Sequence, residues 1–421
     1  MIFSISFAIT ILATIYTFLV SWSKRSLFNP HIIYWLVTLY TIYLPALFYS
    51  EALISDNYFN TIFLLGTLGG VLGLVLIPIR PAVLESKTPR NNNLHFIIFF
   101  LALVYGIYLL GSVLNIIYSR GGILSALIYS RLDIYLKGGI TQGAGWTFIM
   151  LLPEVCYYIL IAYSLGKNKI TRSVFLTLLI VIFYVFTANT RLPIIFPIFT
   201  LTIIYIHKFH AHSIRSIFPI AVSVGMIFIM IFSVVGSYIR NGQLENLDLS
   251  LNTIGTELIN RQDNQLGYYD WIHDLHEDLE DEEFPYEYGL GTFFYPIISF
   301  IPRAFWSSKP NTSSSNRLTE LVYDRKIGDG QPIHTFHLVG DGFYQFAWLG
   351  SFLYPFLFIY IVTFMQVRVA AHIPHGEYWQ VYLLISSLPY VRAELPMVKL
   401  LLTLLTIFLL SIILRVTNKR A

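Results

Sequence analysis

The chain has 421 residues, of which 56% are hydrophobic and only 12% charged, with a mean hydropathy of +0.64 and a net charge of +3. A soluble globular domain carries about 25% charged residues, so half that share excludes a soluble fold for most of the chain, and the small net charge gives no footing for nucleic acid. The single cysteine, Cys156, excludes an intrachain disulfide framework and a cysteine-based zinc site.

Apolar runs predict an all-α polytopic membrane protein with about eleven spans. They lie near 2–22, 31–50, 58–79, 94–117, 146–166, 173–190, 192–206, 216–236, 342–367, 378–391 and 395–414. The first is expected to be a retained helix, because no basic n-region precedes it. Tight turns at Thr190-Arg191 and near Arg392 separate the sixth from the seventh span and the tenth from the eleventh. Between the fourth and fifth spans, residues 118–145 carry Gly121-Gly122 and then Leu124, Leu127, Ile128 and Leu132 on one helical face. That pattern predicts a short amphipathic segment at the membrane surface. The organisation expected is helices one to eight over 1–236, a large loop over 237–341, and helices nine to eleven over 342–421.

Alternate loops differ in charge, and the lysine- and arginine-rich set is expected to be cytoplasmic. It holds Lys24, Arg25, Arg80, Lys87, Arg90, Lys167, Lys169, Arg172, Lys208, Arg215, Arg368, Arg415, Lys419 and Arg420, with only Glu85 and Glu377 among the acids. The opposite set holds Glu51, Asp56, Asp133, Glu394 and the acidic stretch from Glu245 to Asp341. The N-terminus is therefore expected outside, the C-terminus inside, and the loop 237–341 outside. No internal repeat supports an inverted-repeat transporter.

The loop divides by composition. Its first part, around His273, His276 and Glu277, is a carboxylate-rich run that reads as a solvated face, with a divalent-ion site as the alternative. Its second part runs Ile301-Pro302-Arg303-Ala304-Phe305-Trp306 to Lys309-Pro310, then His334, His337 and Gly340-Asp341-Gly342 into the ninth span. Prolines limit helix continuation there. Arg303 and Lys309 suit a phosphate, one as a planar fork and the other as a mobile charge, and Trp306 suits stacking on a sugar. Headgroup anchoring by the same residues is the alternative. Glu154, beside Pro153 in the fifth span, is a carboxylate within an apolar run, a position that is functional or paired by default.

The stretch 301–311, followed by Gly340-Asp341-Gly342-Phe343-Tyr344-Gln345-Phe346-Ala347-Trp348-Leu349-Gly350, resembles the oligosaccharide repeat-unit polymerases of the Wzy type, the O-antigen polymerases. Asp341 fills that family's acidic place, and Ala347 stands where glycine is commoner. The resemblance covers the layout of the whole chain but only about fifty residues by motif. It implies a bacterial inner-membrane glycosyltransferase acting at the periplasmic face. Such an enzyme transfers a growing glycan from undecaprenyl pyrophosphate to a new lipid-linked repeat unit, with a chain-length-determining co-polymerase as partner and no cofactor.

That reaction needs fixed cations where the pyrophosphate departs, and arginines can supply them without a metal. Of the arginines expected outside (Arg120, Arg131, Arg191, Arg240, Arg261, Arg303, Arg317, Arg325 and Arg392), Arg191, Arg240 and Arg303 are the favoured clamp, with Lys309 and Trp306 beside them. For the proton, neutral histidine is a natural acceptor near pH 7. His337 is the favoured base, on the strength of a histidine before this helix in related glycan ligases. Asp341 is expected either to orient a partner or to start the helix as its N-cap. An O-antigen ligase of the same fold is the nearest alternative, and a polysaccharide flippase a more distant one.

Overall fold

The computed structural model describes residues 2–24, 29–43, 57–79, 92–128, 144–166, 169–187, 286–299, 301, 305, 306, 308, 317 and 337–369. All regular structure among the described residues is helical. The expected spans over 192–206, 216–236, 378–391 and 395–414 lie outside them. Among the described residues, four helices are long and apolar enough to cross a membrane: Ile2–Ser23, Asn57–Leu76, Phe96–Ser119 and Leu338–Val367. Large apolar side chains such as Leu12, Val75, Ile107 and Leu114 project outward from the bundle. The chain is thus a helical membrane-embedded protein.

Four helices form one group. Helix α1 (Ile2–Ser23) leads to α2 (Pro30–Thr38), whose start is set by Asn29. The Asn29 side chain accepts from the Ile32 N–H at 3.1 Å and donates to Ser21 Oγ at 2.7 Å, so one residue caps α2 and ties it to α1. A π-helical turn, Leu39–Tyr43, continues α2. Helix α3 (Asn57–Leu76) carries Gly66, Gly69, Gly70 and Gly73 on its packed side. Two interleaved pairs four residues apart give the small-residue spacing that lets membrane helices approach closely. Val339 fills the space beside Gly66, Tyr34 and Trp35 that beside Gly70, and Ile359 that beside Gly73. The Phe352 carbonyl lies directly on Gly69.

Polar contacts fix the directions of these helices. Lys24 Nζ donates to the Ile79 carbonyl at 2.8 Å, so the last turns of α1 and α3 meet at one end. His31 Nε2 lies 3.0 Å from the Ile77 carbonyl, so α2 starts at that same end and runs back. Tyr34 donates to the Gly66 carbonyl at 2.8 Å halfway along α3.

A second group comprises α4 (Asn92–Ser119), α6 (Ala144–Gly166) and α7 (Ile170–Thr187), with the short α5 (Ile123–Ile128) after α4. Gly121 and Gly122 both adopt positive φ, 75° and 140°, and turn the chain out of α4. Antiparallel α6 and α7 are stitched by Tyr157 to the Leu176 carbonyl at 2.9 Å and Ser173 to the Ile161 carbonyl at 3.0 Å. Within α6, Pro153 is buried and Glu154 half-buried.

The ninth expected span departs from a simple crossing. Helix α9 (Leu338–Phe364) begins four residues earlier than the 342 expected from sequence, and it is broken at Phe346-Ala347. Ala347 has φ 51° and ψ −144°, a conformation favourable only to glycine. In a straight helix Gly342 and Gly350 would sit about 12 Å apart along the axis. Here their backbones touch, each filling the space where the other's Cβ would stand. The chain therefore folds into a helical hairpin with arms 338–346 and 348–364, and a π-helical turn, Met365–Val369, extends the second arm.

Contacts with α3 set the depth of the hairpin. Val339 lies at Gly66, while Phe343 and Trp348 both pack on Tyr58, at 5.7 and 4.9 Å between ring centroids. The second arm then descends past Gly69 to Gly73. The first arm thus starts near the middle of α3, roughly 13 Å from its Asn57 end at 1.5 Å per residue. It climbs to that end, and the second arm returns through the full thickness.

Candidate polar site in the hairpin

Residues 286–299 pack against the hairpin and bring charge to it. After Tyr288 and Gly289, with φ 49° and 83°, a π-helical turn Leu290–Phe294 leads into α8 (Tyr295–Ser299). The Glu287 N–H donates to the Tyr344 carbonyl at 3.0 Å and the Gly289 N–H to the Gln345 carbonyl at 3.2 Å. These are carbonyls that the break at Phe346-Ala347 leaves short of helical partners. Thr292 and Tyr354 hydroxyls meet at 2.5 Å, joining the segment to the second arm as well.

Glu287 is the centre of the site. Its Oε2 accepts from Gln345 Nε2 at 2.5 Å, the Tyr344 hydroxyl hydrogen-bonds to it, and Arg317 grips Oε1 through Nε and Nη2. The guanidinium of Arg317 also lies over the Tyr295 ring, 3.9 Å from its centroid. An aromatic face and a carboxylate on two sides hold the cation in one orientation. Glu287 is 8% exposed and Arg317 15%, so this pair is largely withdrawn from solvent. At the approach to the site, burial raises the Tyr286 phenol above its ordinary range while a hydrogen bond with Tyr58 opposes the shift.

Asp341 is the second carboxylate here. It is buried one turn into the first arm, within electrostatic reach of both Glu287 and Arg317. Its backbone N–H bonds the His337 carbonyl at 2.9 Å. The N-cap of α9 is His337, so of the two structural roles expected for Asp341, starting the helix belongs to its neighbour four residues earlier. His337 Nδ1 accepts from the Val339 N–H at 3.2 Å, and Nε2 lies 3.4 Å from Thr38 Oγ1. In that arrangement the proton sits on Nε2 and points at Thr38. The ring is fully buried beside Phe63.

His337 and Asp341 are thus brought together on one helical turn. Trp306 is about one-third exposed, with its indole N–H donating to Ser308 Oγ at 3.2 Å. Arg191, Arg240, Arg303 and Lys309 lie outside the described residues, as do His273 and His276. Three members of the cluster, Glu287, Arg317 and Gln345, were not singled out by sequence. Arg317 stood among nine arginines expected outside, and no local pattern ranked it, because its partner Glu287 is 30 residues away.

Among the described residues no group of three or more His, Cys, Asp or Glu side chains converges as a metal site. A separate cavity of about 310 Å³ opens between α4, α6 and α7, lined by Phe96, Phe99, Tyr163 and Arg172 among others, and shares no residue with the polar cluster. No family model, curated protein or solved structure matches this chain.

Proposed function

We propose that this protein is a glycosyltransferase of the oligosaccharide repeat-unit polymerase type, acting on undecaprenyl-pyrophosphate-linked glycans at the outer face of a bacterial inner membrane. One observation carries the reading. Four of the residues that bear the resemblance, Asp341, Phe346, Ala347 and Gly350, build the broken helix and its polar site, while most of the 301–311 stretch lies outside the described residues. The place where the family commonly has glycine is the place where the backbone needs one, at φ 51°. A carboxylate at membrane depth, Asp341, beside a largely buried ion pair is costly and persists where function requires it.

In this reading Arg317 joins Arg191, Arg240, Arg303 and Lys309 as the cations that receive the pyrophosphate, while Trp306 stacks on a sugar. The acceptor hydroxyl oxygen attacks the anomeric carbon, and the bond from that carbon to the pyrophosphate oxygen breaks. The electron pair leaves on pyrophosphate, where guanidinium groups stabilise it. The hydroxyl proton passes to Asp341. His337, with both ring nitrogens engaged, positions the turn that carries Asp341. The charge bias of the loops puts the N-terminus in the periplasm and the C-terminus in the cytoplasm. A co-polymerase that sets chain length is the expected partner.

Deleting the gene in a host that makes the polysaccharide tests the reading. Glycans capped with a single repeat unit on a gel are the expected outcome. Loss of all surface glycan, single units included, would replace polymerase with ligase or flippase.

A further inference from the structure

The stretch from Tyr288 to Pro302 contains no charged residue, and it has two unlike faces. Gly291, Thr292 and Ile298 are buried against neighbours, whereas Phe293, Phe294 and Ile297 are 52–67% exposed and Leu290 joins them. Together these four give the segment an apolar outer face. Its position is not aqueous by geometry. Tyr286 packs on Phe343 at the Tyr58 level, and Thr292 bonds Tyr354, which lies between residues at the Gly69 and Gly73 levels of α3. From the Asn57 end, the segment thus descends beside a helix that crosses the membrane.

The backbone points the same way. Non-helical chain survives at membrane depth only where its polar groups are satisfied by protein. The N–H groups of Glu287, Gly289, Leu290, Thr292 and Phe293 all donate to carbonyls, and that of Gly291 to Gln345 Oε1 at 3.1 Å. The exposed face is continuous with α9, since Phe293 meets Phe346 at 6.3 Å and the next outward residues are Trp348 and Leu349.

We infer that residues 288–299 form a re-entrant element of the bilayer, their exposed face (Leu290, Phe293, Phe294 and Ile297) lying against phospholipid acyl chains. The segment is then no part of a water-filled loop, whatever reaction the protein performs. The charge-free sequence, the bonded N–H groups of Gly289 to Phe293 and the continuity with α9 commit the face to lipid.

The full chain, reconstituted in nanodiscs on a Cys156→Ser background, tests this with an environment-sensitive maleimide dye. Single cysteines replace Phe293 and Ile297, with Leu103 on α4 as the lipid reference and Lys169, exposed just ahead of α7, as the water reference. Both Phe293→Cys and Ile297→Cys are outward positions, and a monodisperse preparation shows that each variant folds. Doxyl-labelled phosphatidylcholine should quench both as strongly as Leu103, and aqueous iodide should quench them several-fold less than Lys169. Iodide quenching at the Lys169 level would overturn the inference. Protection from both quenchers would overturn it too, showing that protein, such as a second copy of the chain, covers the face.

Discussion

At the scale of single residues, Ala347 carries a testable cost. An L side chain at φ 51° and ψ −144° is strained by about 1–3 kcal/mol, and glycine removes that strain. Ala347→Gly should therefore raise the thermal midpoint of the purified protein, and a lowered midpoint would refute the strained turn. Arg317 is the opposite case. Removing one partner of a buried ion pair costs about 3–5 kcal/mol, because the other charge is left uncompensated. Arg317→Ala should destabilise on that scale, while Arg317→Lys, which keeps the charge but loses the fork, should fall between. His337 separates structure from chemistry. Loss of the cap in His337→Ala should cost about 1 kcal/mol, and His337→Asn, a good cap, should restore it. Chain extension that survives in His337→Asn and vanishes in Asp341→Asn assigns the proton to Asp341; the reverse pattern assigns it to the histidine.

At the scale of elements, glycine's meaning depends on what stands opposite. Gly342 and Gly350 face each other's backbone, which cannot yield as a side chain can. Alanine at either should destabilise by about 1–3 kcal/mol or more, whereas Gly111, with nothing near its would-be Cβ, should tolerate alanine or gain up to about 1 kcal/mol. Melting of both variants in the same detergent checks the contrast. These pairs also mark what was legible in the sequence. The runs at 2–22, 58–79 and 94–117 were read within a residue or three, because a span needs only apolar length and polar ends. The broken helix was not read. Leu338–Val367 presents itself as one apolar span, and the fold-back depends on Gly342 meeting Gly350 and on Glu287 and Gly289 arriving from nearly sixty residues upstream. The paired glycines were visible, but their pairing is tertiary. Asp341 was read as a site residue from its place in a resemblance; nothing local predicted that Glu287 and Arg317 would be its neighbours.

At the scale of the whole molecule, the described helices form two groups: α1, α2, α3 and α9 around the glycine-lined face of α3, and α4, α6 and α7 around Tyr105, Tyr157 and Phe183. The polar cluster belongs to the first group alone. Substitutions in the cavity of the second, such as Arg172→Ala, should leave glycan transfer within about twofold if the proposed site is the right one. If arginines rather than a metal receive the pyrophosphate, a chelator added to the reconstituted reaction should leave chain extension unchanged. Arrest by chelator, reversed by a divalent cation, would return attention to His273 and His276. Orientation and the number of spans rest on loop charge and apolar length, both whole-chain properties, and reporter fusions at Lys87 and Asn311 would read them directly.

The first arm of the α9 hairpin also sets an order of events in biogenesis. A segment that reaches only half-way through the membrane is too short to be released into lipid as a span during synthesis. The second arm, 348–369, has the necessary length of about 30 Å and can enter the membrane as it is made. The first arm has no such route and depends on packing against the glycine face of α3 and on the contacts of Glu287, both of which precede it in the chain.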